Sequence, residues 1–247
     1  MEQTKPIDVV ITTWGREWMT HNCLDVLFFN TQTPYRVILV DNGSKGSDQT
    51  SYLAQADIYV KLDKNYGLEH AKWIGMQFVE SPLFISMDND ILPYKYEPDW
   101  LSQLVSLMEE YTDYAAIALR PQVLVGTSEA MFDSPEKVIP FPHVPGYARI
   151  MRTDVVRKAG AWDDKRPLRG HEEMWIGEKL TQMGWKMGWA NFVRCYHLWG
   201  RGDEDMWGYK NTDSGHNPVW PIYKNDFDEI KEGVGVPIFG LLKEEDK

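Results

Sequence analysis

The chain has 247 residues, 43% of them hydrophobic and 26% charged, and its 26 basic and 37 acidic residues give a net charge of −11. This length accommodates one large α/β domain or two small ones. The acidic balance disfavours nucleic acid and anionic membranes as default partners. No run approaches the roughly 20 apolar residues that span a bilayer. We therefore expect no integral membrane segment, and the polar stretch Met1–Lys5 predicts no secretory leader.

The two cysteines, Cys23 and Cys195, lie far apart in the sequence and have no metal-binding spacing. Two isolated cysteines are typical of a reducing compartment and do not describe a disulfide scaffold. The sequence therefore predicts a cytoplasmic protein.

The first half of the chain alternates short β-branched runs with segments of helical periodicity. The predicted strands are Val9–Thr13, Val37–Asp41, Ile58–Leu62, Leu83–Met87 and Ala115–Leu119, and the predicted helices are the segment around Met19, Cys23, Val26 and Leu27, then Leu68–Val79 and Trp100–Tyr111. This alternation predicts an α/β fold with a mostly parallel sheet flanked by helices on both faces. Ligands bind such sheets at the carboxyl ends of the strands.

The second half of the chain has a less regular pattern. We expect a long surface loop over residues 120–145, then a strand at Tyr147–Met151 and a short helix that is capped by Thr153 and ends before Gly160. A helix at about Glu172–Met183 should follow, bury Ile176, Leu180 and Met183, and stop at Gly184. The last predicted strand is Phe192–His197. Beyond Gly200 the polar composition predicts an irregular tail that serves as a lid or wraps around the core.

The acidic triplet Asp88-Asn89-Asp90 directly follows the predicted strand Leu83–Met87. Carboxylates two positions apart in extended backbone point the same way, so Asp88 and Asp90 would face one cation. A hard divalent ion such as Mg²⁺ or Mn²⁺ takes carboxylate ligands together with substrate phosphates. The same triplet is also typical of an aspartate-rich turn without chemistry.

Another carboxylate, Asp41, ends the second predicted strand and is expected at the same edge of the sheet. In a dinucleotide-binding enzyme such a residue binds ribose, but these enzymes need a G-x-G-x-x-G turn after the first strand. The segment Thr12-Thr13-Trp14-Gly15-Arg16 lacks that pattern, and no Walker-type lysine loop occurs. The sequence therefore argues against a dinucleotide-binding enzyme.

Four short motifs follow one another at the predicted strand ends. They are Val10-Ile11-Thr12-Thr13-Trp14-Gly15-Arg16, Val40-Asp41-Asn42-Gly43-Ser44, Asn65-Tyr66-Gly67 with Ala71-Lys72, and Asp88-Asn89-Asp90. In this order they resemble the motifs of family 2 glycosyltransferases, closely over roughly the first 95 residues and more loosely to about residue 200. The resemblance implies a GT-A fold, a Rossmann-like domain that binds a nucleoside-diphosphate sugar.

The resemblance also implies roles for individual residues. Thr13, Trp14 and Asp41 would contact the base, with Lys72 at the base or nearby. Asp88 would approach the ribose, and Asp90 would bind the metal that bridges the diphosphate. The full set implied to hold the nucleotide is Thr12, Thr13, Trp14, Arg16, Asp41, Asn65, Gly67, Lys72, Asp88, Asn89 and Arg201. Lys72 replaces an arginine and Trp14 a tyrosine that the family often has, so the base is left open.

The pair Glu172-Glu173 opens the helix predicted at about Glu172–Met183. An inverting transfer needs a base that takes the proton of the acceptor hydroxyl. The family often has Glu-Asp here with the second carboxylate as base, which makes Glu173 the first candidate and Glu172 the second. Glu173 lies three residues before Ile176, which turns it toward the buried stripe. Two acids in a first helical turn also merely complement the helix dipole, and that interpretation stays open.

The segment Cys195–Arg201 contains the last two candidates. Some metal-dependent GT-A enzymes place a histidine after the last core strand as a metal ligand, and His197 occupies that position, so the candidate metal set is Asp90, Asp88 and His197. A single histidine is also often structural. Arg201 is a candidate to balance the diphosphate leaving group, or it is an ordinary solvated charge.

Together these features predict one GT-A domain, with a nucleotide-sugar half over about residues 1–95, an acceptor half over about 96–200 and a tail or lid over 201–247. The predicted activity is Mn²⁺- or Mg²⁺-dependent transfer of a sugar, with a UDP-sugar favoured, to an acceptor hydroxyl with inversion. The acceptor is a glycan, a protein, a lipid-linked sugar or a modified DNA base. The alternatives are a nucleotidyltransferase and a non-catalytic nucleotide-sugar or glycan-binding protein.

Overall fold

A computed structural model describes residues 5–15, 17–45, 55–121, 132–143, 146–162 and 172–198. In chain order they form β1 (Ile7–Thr13), α1 (Glu17–Asn30), β2 (Tyr35–Asp41), β3 (Ile58–Lys61), α2 (Leu68–Met76), β4 (Leu83–Asp88), β5 (Ile91–Pro93), α3 (Trp100–Glu110), β6 (Tyr114–Pro121), β7 (Val138–Pro140), β8 (Ala148–Arg152), α4 (Thr153–Lys158), α5 (Glu172–Gln182) and β9 (Lys186–His197). No helix within these ranges is both long and apolar enough to cross a membrane. The predicted tail, 201–247, lies outside them.

The described strands form a single sheet in the order β3-β2-β1-β4-β8-β6-β9-β5, with β7 also paired to β9. The predicted α/β class is confirmed, and the strands β1 to β4 pair in parallel as expected. The remaining part of the sheet is mixed, because β8 runs antiparallel to both β4 and β6 while β9 runs parallel to β6. Hydrophobic periodicity predicts that a strand is buried but carries no information on the direction of its neighbours, so the mixed half was not foreseen.

Two apolar clusters cover the two faces of the sheet. Successive strand residues point to opposite faces, so Phe84 and Ile85 enter different clusters. One cluster packs α1 and α3 against the sheet, and the other packs α2, α4 and α5 against it. The central strands β1 and β4 are therefore buried on both sides.

The prediction of an uninterrupted loop over residues 120–145 is wrong. The strand β6 extends to Pro121, and β7 pairs antiparallel with β9, where Val138 faces Ala190 and Ile139 faces Trp189. Both Val138 and Ile139 are buried. A strand of only three residues is too short to show the alternation of apolar and polar residues by which strands are predicted. The sequence therefore predicted neither β7 nor β5.

Several element boundaries also differ from the prediction. Thr153 does not cap α4, because it is the first helical residue and its hydroxyl donates to Ser81 O at 2.6 Å. Met183 is exposed, since α5 ends one residue earlier, and Gly184 with φ +84° stops the helix as predicted. The strand β9 begins at Lys186, six residues before the predicted start, and α2 ends at Met76, three residues before the predicted end.

Candidate functional site

The acidic triplet forms a turn at the carboxyl edge of the sheet. The strand β4 ends at Asp88, and Asn89 and Asp90 turn the chain into β5. The expectation of extended backbone through the triplet is therefore wrong, and the two carboxylates meet different neighbours. The turn is fixed to the end of β9, because Asp90 O accepts a hydrogen bond from Leu198 N at 3.0 Å and Ile91 pairs with His197.

Asp90 and His197, two of the three candidate metal ligands, lie together at this edge. The distance from His197 Nε2 to Asp90 Oδ1 is 3.6 Å, and the Asp90 side chain is almost buried. Burial raises the pKa of the Cys23 and Cys195 thiols, and the negative charge of Asp90 adds to both shifts, so both thiols stay neutral beside this carboxylate.

A carboxylate and an imidazole are ligands that suit a hard divalent ion, which commonly completes its shell with water and substrate phosphates. Asp90 and His197 therefore fit such an ion as a partial shell. Within the described ranges, no group of three or more histidine, cysteine or acidic side chains has the geometry to hold a metal by itself.

Asp88 forms an ion pair with Lys72. The Nζ of Lys72 lies 3.3 Å from Asp88 Oδ1, and the Lys72 side chain is only 1% exposed. The same ammonium group donates to Gly146 O at 3.2 Å, and Asp88 N donates to Tyr147 O at 2.7 Å. Because a buried ammonium group offsets the charge of Asp88, this carboxylate is better suited to accept hydrogen bonds from a ligand than to hold a cation.

Asn89 anchors the acidic turn to the loop that follows β1. Its Nδ2 donates to Thr13 Oγ1 at 3.1 Å and to Thr20 Oγ1 at 2.8 Å. Trp14, in the same loop, exposes its side chain at this edge. These hydrogen bonds link the loop after β1 to the acidic turn. Arg16, implied to bind the nucleotide, lies outside the described residues.

Asp41 is fully buried, and both of its oxygens have protein donors. Its Oδ1 accepts from Ser44 N at 2.8 Å, and its Oδ2 accepts from Lys61 Nζ at 2.7 Å and Tyr59 Oη at 3.1 Å. Lys61 lies beside Asp41 in the parallel register of β2 and β3. Alignment of these two predicted strands would have been enough to predict the ion pair. In this arrangement Asp41 organises the loop after β2.

Asn42 joins the loop after β2 to the loop before α2. Its Nδ2 donates to Asn65 Oδ1 at 2.9 Å and to Gly67 O at 3.1 Å, and its Oδ1 accepts from Tyr66 N at 3.0 Å. Gly43 lies so close to this second loop that an added Cβ would be 2.2 Å from the carbonyl carbon of Lys64. The predicted residues Asn65 and Gly67 are thereby brought to the edge where β2 ends.

Thr12 lies at the end of β1, next to Asp88 in the parallel register of β1 and β4. Its Oγ1 is buried and has no hydrogen-bond partner within the described part of the chain. A buried hydroxyl without a partner typically costs about 1–3 kcal/mol relative to a satisfied one. Thr12 therefore offers a hydrogen-bonding group beside Asp88.

Glu173 lies in the first turn of α5 and is half-buried. Burial strongly raises the pKa of Tyr147, and the charges of Cys195 and Glu173 raise it further. The Tyr147 ring stacks on His197 with centroids 5.0 Å apart. The side chain of Glu172 and the whole of Arg201 lie outside the described residues.

Tyr147 is the site residue that the sequence did not single out. It precedes β8, and no motif or spacing marks it, because its importance arises only when β4, β8 and β9 are side by side.

A family model for glycosyl transferase family 2 matches residues 8–161, which contain the strand-end motifs and the acidic turn. The chain belongs to glycosyl transferase family 2. Among curated proteins, an undecaprenyl-phosphate 4-deoxy-4-formamido-L-arabinose transferase of Yersinia enterocolitica is 30% identical over 125 residues, covering 45% of this chain and 36% of the relative. The chain thus spans little more than a third of that relative's length.

Solved structures give the same fold for this family 2 chain. The structure of GalNAc-T7 with UDP, GalNAc and Mn²⁺ superposes with a TM-score of 0.65 at 15% identity, covering 80% of this chain and 44% of the other. A mannosyltransferase of Pyrobaculum calidifontis with GDP-Man and Mn²⁺ gives 0.62 at 15% identity, covering 83% and 62%. S. aureus TarS gives 0.62 at 15%, covering 79% and 61%. The predicted GT-A fold is confirmed.

Proposed function

We propose that this chain is a metal-dependent glycosyltransferase that moves a sugar from a nucleoside-diphosphate sugar to an acceptor hydroxyl with inversion. The observation that carries the proposal is the pairing of Asp90 with His197 at 3.6 Å, at an edge that also contains the Lys72–Asp88 pair. An acidic group, an imidazole and an adjacent buried cation suit a ligand that combines a divalent ion with phosphates and hydroxyls.

In this proposal Asp90 and His197 bind Mn²⁺ or Mg²⁺, and Asp88 contributes through the ribose hydroxyls or the water shell of the ion. The ion, when bound, stabilises the negative charge of the departing nucleoside diphosphate. Lys72 holds Asp88 in place through its 3.3 Å ion pair. Thr12 and the backbone near Trp14 line the nucleotide side of this edge.

Glu173 acts as the general base in this proposal. It takes the proton of the acceptor hydroxyl as the acceptor oxygen attacks the sugar C1, while the bond from C1 to the diphosphate oxygen breaks on the opposite side. A single displacement of this kind inverts the anomeric centre. The half-buried position of Glu173 in the first turn of α5 supports this role.

For the donor we favour a UDP-sugar. The structural neighbours include one with UDP and another with GDP-Man, both with Mn²⁺, so a GDP-sugar is the competing donor. We propose that Trp14 stacks on the base, because its ring is exposed at this edge. Asp41, whose oxygens already have three donors, would orient the loop after β2 rather than bond the base directly.

The acceptor belongs to one of four classes: a glycan, a protein, a lipid-linked sugar or a modified DNA base. The Yersinia relative is named for an undecaprenyl-phosphate substrate, which favours the lipid-linked class for this chain. We further propose a cytoplasmic location, supported by the two buried cysteines, which are both free. One domain with a nucleotide half and an acceptor half fits the single sheet of the described chain.

Replacing Asp90 with alanine tests the metal role. In a thermal-shift assay, UDP or GDP with Mn²⁺ should stabilise the wild-type fold by mass action, and Asp90→Ala should lose that shift. Asp154→Ala, which removes an exposed carboxylate on α4, is the matched control and should keep it. Survival of both the Mn²⁺-dependent shift and sugar transfer in Asp90→Ala would remove Asp90 from the proposed site.

Replacing Glu173 with glutamine tests the base. Transfer should fall by at least about 100-fold, the usual contribution of a general base, while nucleotide binding is retained. Glu178→Gln, an exposed change on the same helix, is the control. Transfer at the wild-type rate in Glu173→Gln would exclude Glu173 as the base and would favour Glu172 or a retaining reaction.

A further inference from the structure

Tyr147 and the preceding Gly146 contact three residues of the candidate site: His197, Asp88 and Lys72. Its ring lies 5.0 Å from the imidazole of His197 at an interplanar angle of 29°, a stacked arrangement. Its carbonyl accepts from Asp88 N at 2.7 Å, and the preceding carbonyl, Gly146 O, accepts from Lys72 Nζ at 3.2 Å. The backbone of Gly146 and Tyr147 is therefore fixed by both members of the Lys72–Asp88 pair.

The ring of Tyr147 also contacts a second aromatic ring. Its centroid lies 5.8 Å from that of Trp189 on β9, and it packs against both apolar clusters. The backbone of Ala148 continues in β8, paired with Met87 of β4. A ring with these constraints cannot rotate freely, so it is a rigid surface for the imidazole that lies on it.

Two contacts of the His197 imidazole bear on its orientation: one with the carboxylate of Asp90 and one with the ring of Tyr147. At 3.6 Å, the distance from Nε2 to Asp90 Oδ1 allows electrostatic attraction but exceeds the usual length of a hydrogen bond. Attraction at that distance does not define the plane of the ring. Stacking on Tyr147 does define it, because two planar rings at 29° and 5.0 Å admit little rotation of either.

We propose that Tyr147 is a positioning residue for His197: its ring holds the imidazole in the plane that directs Nε2 toward Asp90 and the bound cation. This inference rests on the proposed metal role of His197 and deepens it. The role belongs to the ring and not to the hydroxyl, because the Tyr147 Oη is buried and has no hydrogen-bond partner within the described residues.

The proposal predicts a difference between two substitutions of the same residue. Tyr147→Phe retains the ring and should leave Mn²⁺ affinity in the presence of UDP or GDP within about twofold of wild type. Tyr147→Leu removes the ring and should weaken Mn²⁺ binding about tenfold, the lower end of what losing an outer-shell partner costs a metal site. Affinity is measured by the loss of the free Mn²⁺ signal in electron paramagnetic resonance, which does not depend on activity.

A second readout needs no metal. Protons above an aromatic ring are shifted upfield by its ring current, so the His197 imidazole protons should be upfield in wild-type protein and Tyr147→Phe, and should move downfield in Tyr147→Leu. The His197 signals are assigned by their disappearance in His197→Gln. Because this comparison uses metal-free protein, it decides whether Tyr147 orients the imidazole even if the proposed transferase function fails.

Tyr111→Leu controls for general loss of stability. Tyr111 makes an edge-on contact with Tyr114 at 5.4 Å, and Tyr114 pairs with Lys186, at the far end of β9 from His197. This variant should lower the melting temperature while Mn²⁺ affinity and the His197 signals stay as in wild type. Unchanged affinity or unmoved His197 protons in folded Tyr147→Leu would overturn the proposal, as would a loss of affinity in Tyr147→Phe equal to that in Tyr147→Leu.

Discussion

Replacing Lys72 with methionine removes the ammonium group beside Asp88 and keeps most of the aliphatic stem. At the observed 3.3 Å, two unit charges attract by about 5 kcal/mol at an effective dielectric constant of about 20. Two effects reduce this value. The Lys72 ammonium is only 1% exposed and loses hydration on folding, and the Asp88 carboxylate, 29% exposed, is screened by water. We therefore expect a coupling free energy of about 1–3 kcal/mol.

A double-mutant cycle measures this coupling directly. The free energies of unfolding in urea are compared for wild type, Lys72→Met, Asp88→Asn and the double variant. The matched control is the cycle of Lys158→Met and Asp154→Asn. That pair has the same 3.3 Å distance but is exposed, at 71% and 68%, so its coupling should stay below about 0.5 kcal/mol.

The comparison isolates burial, because the distance between the charged atoms is equal in both pairs. If the Lys72–Asp88 coupling does not exceed that of Lys158–Asp154, the claim that burial strengthens the pair at the acidic turn is refuted. A large coupling would instead identify the pair as a fixed part of the site.

Three further predictions concern single residues. Gly43→Ala should cost about 3–5 kcal/mol in urea denaturation, because its Cβ would meet the facing backbone, whereas Gly184→Ala, with a similar φ but open space, should cost only about 1 kcal/mol. Burial raises the pKa of Asp8, but hydrogen bonds from Arg36 and two backbone amides outweigh this effect and lower the pKa below 3.8. The ionised Asp8 therefore stabilises the fold at neutral pH, and this stability is lost as the pH falls through the lowered pKa. Asp8→Asn should accordingly flatten the acid limb of a plot of unfolding free energy against pH. Tyr147→Phe should keep or raise the free energy of unfolding, by up to about 1 kcal/mol, since it removes a buried hydroxyl without a partner in the described chain.

The sequence was sufficient to predict the strands and the residues at their carboxyl ends, because both depend on local sequence patterns. The β-branched runs at Val9–Thr13 and Val37–Asp41 are strands, and the parallel register places Thr12 beside Asp88 and Asp41 beside Lys61. Carboxyl ends of parallel strands meet at one edge, so the strand-end motifs could be grouped before their contacts were known. The alternation of strands and helices predicted the α/β sheet, and the resemblance of the strand-end motifs predicted the family and its GT-A fold.

The partners of the site residues could not be predicted, because they depend on contacts between segments that are distant in the chain. The neighbour of Asp90 is residue 197 and the neighbour of Asp88 is residue 72, and these partners are selected by the order of strands and helices. Tyr147 carries no local signal at all. The turn at Asn89 and Asp90 was one of two interpretations that the sequence left open, because residue types alone do not indicate where the strand ends.

The twelve-residue strand β9 has a consequence for when the site comes into existence. It pairs with β5, β6 and β7, and it is the last strand of the described chain. During synthesis, Asp90 leaves the ribosome 107 residues before His197 (197 − 90) and Lys72 leaves it 125 residues before (197 − 72), and β5 has its partner in the described sheet only after β9 emerges. The strands β1 to β4 can pair before β9 is made, but Asp90 and His197 come together only when β9 docks. A ligand that bridges Asp90 and His197 thus reports the completion of folding and holds the final strand in place.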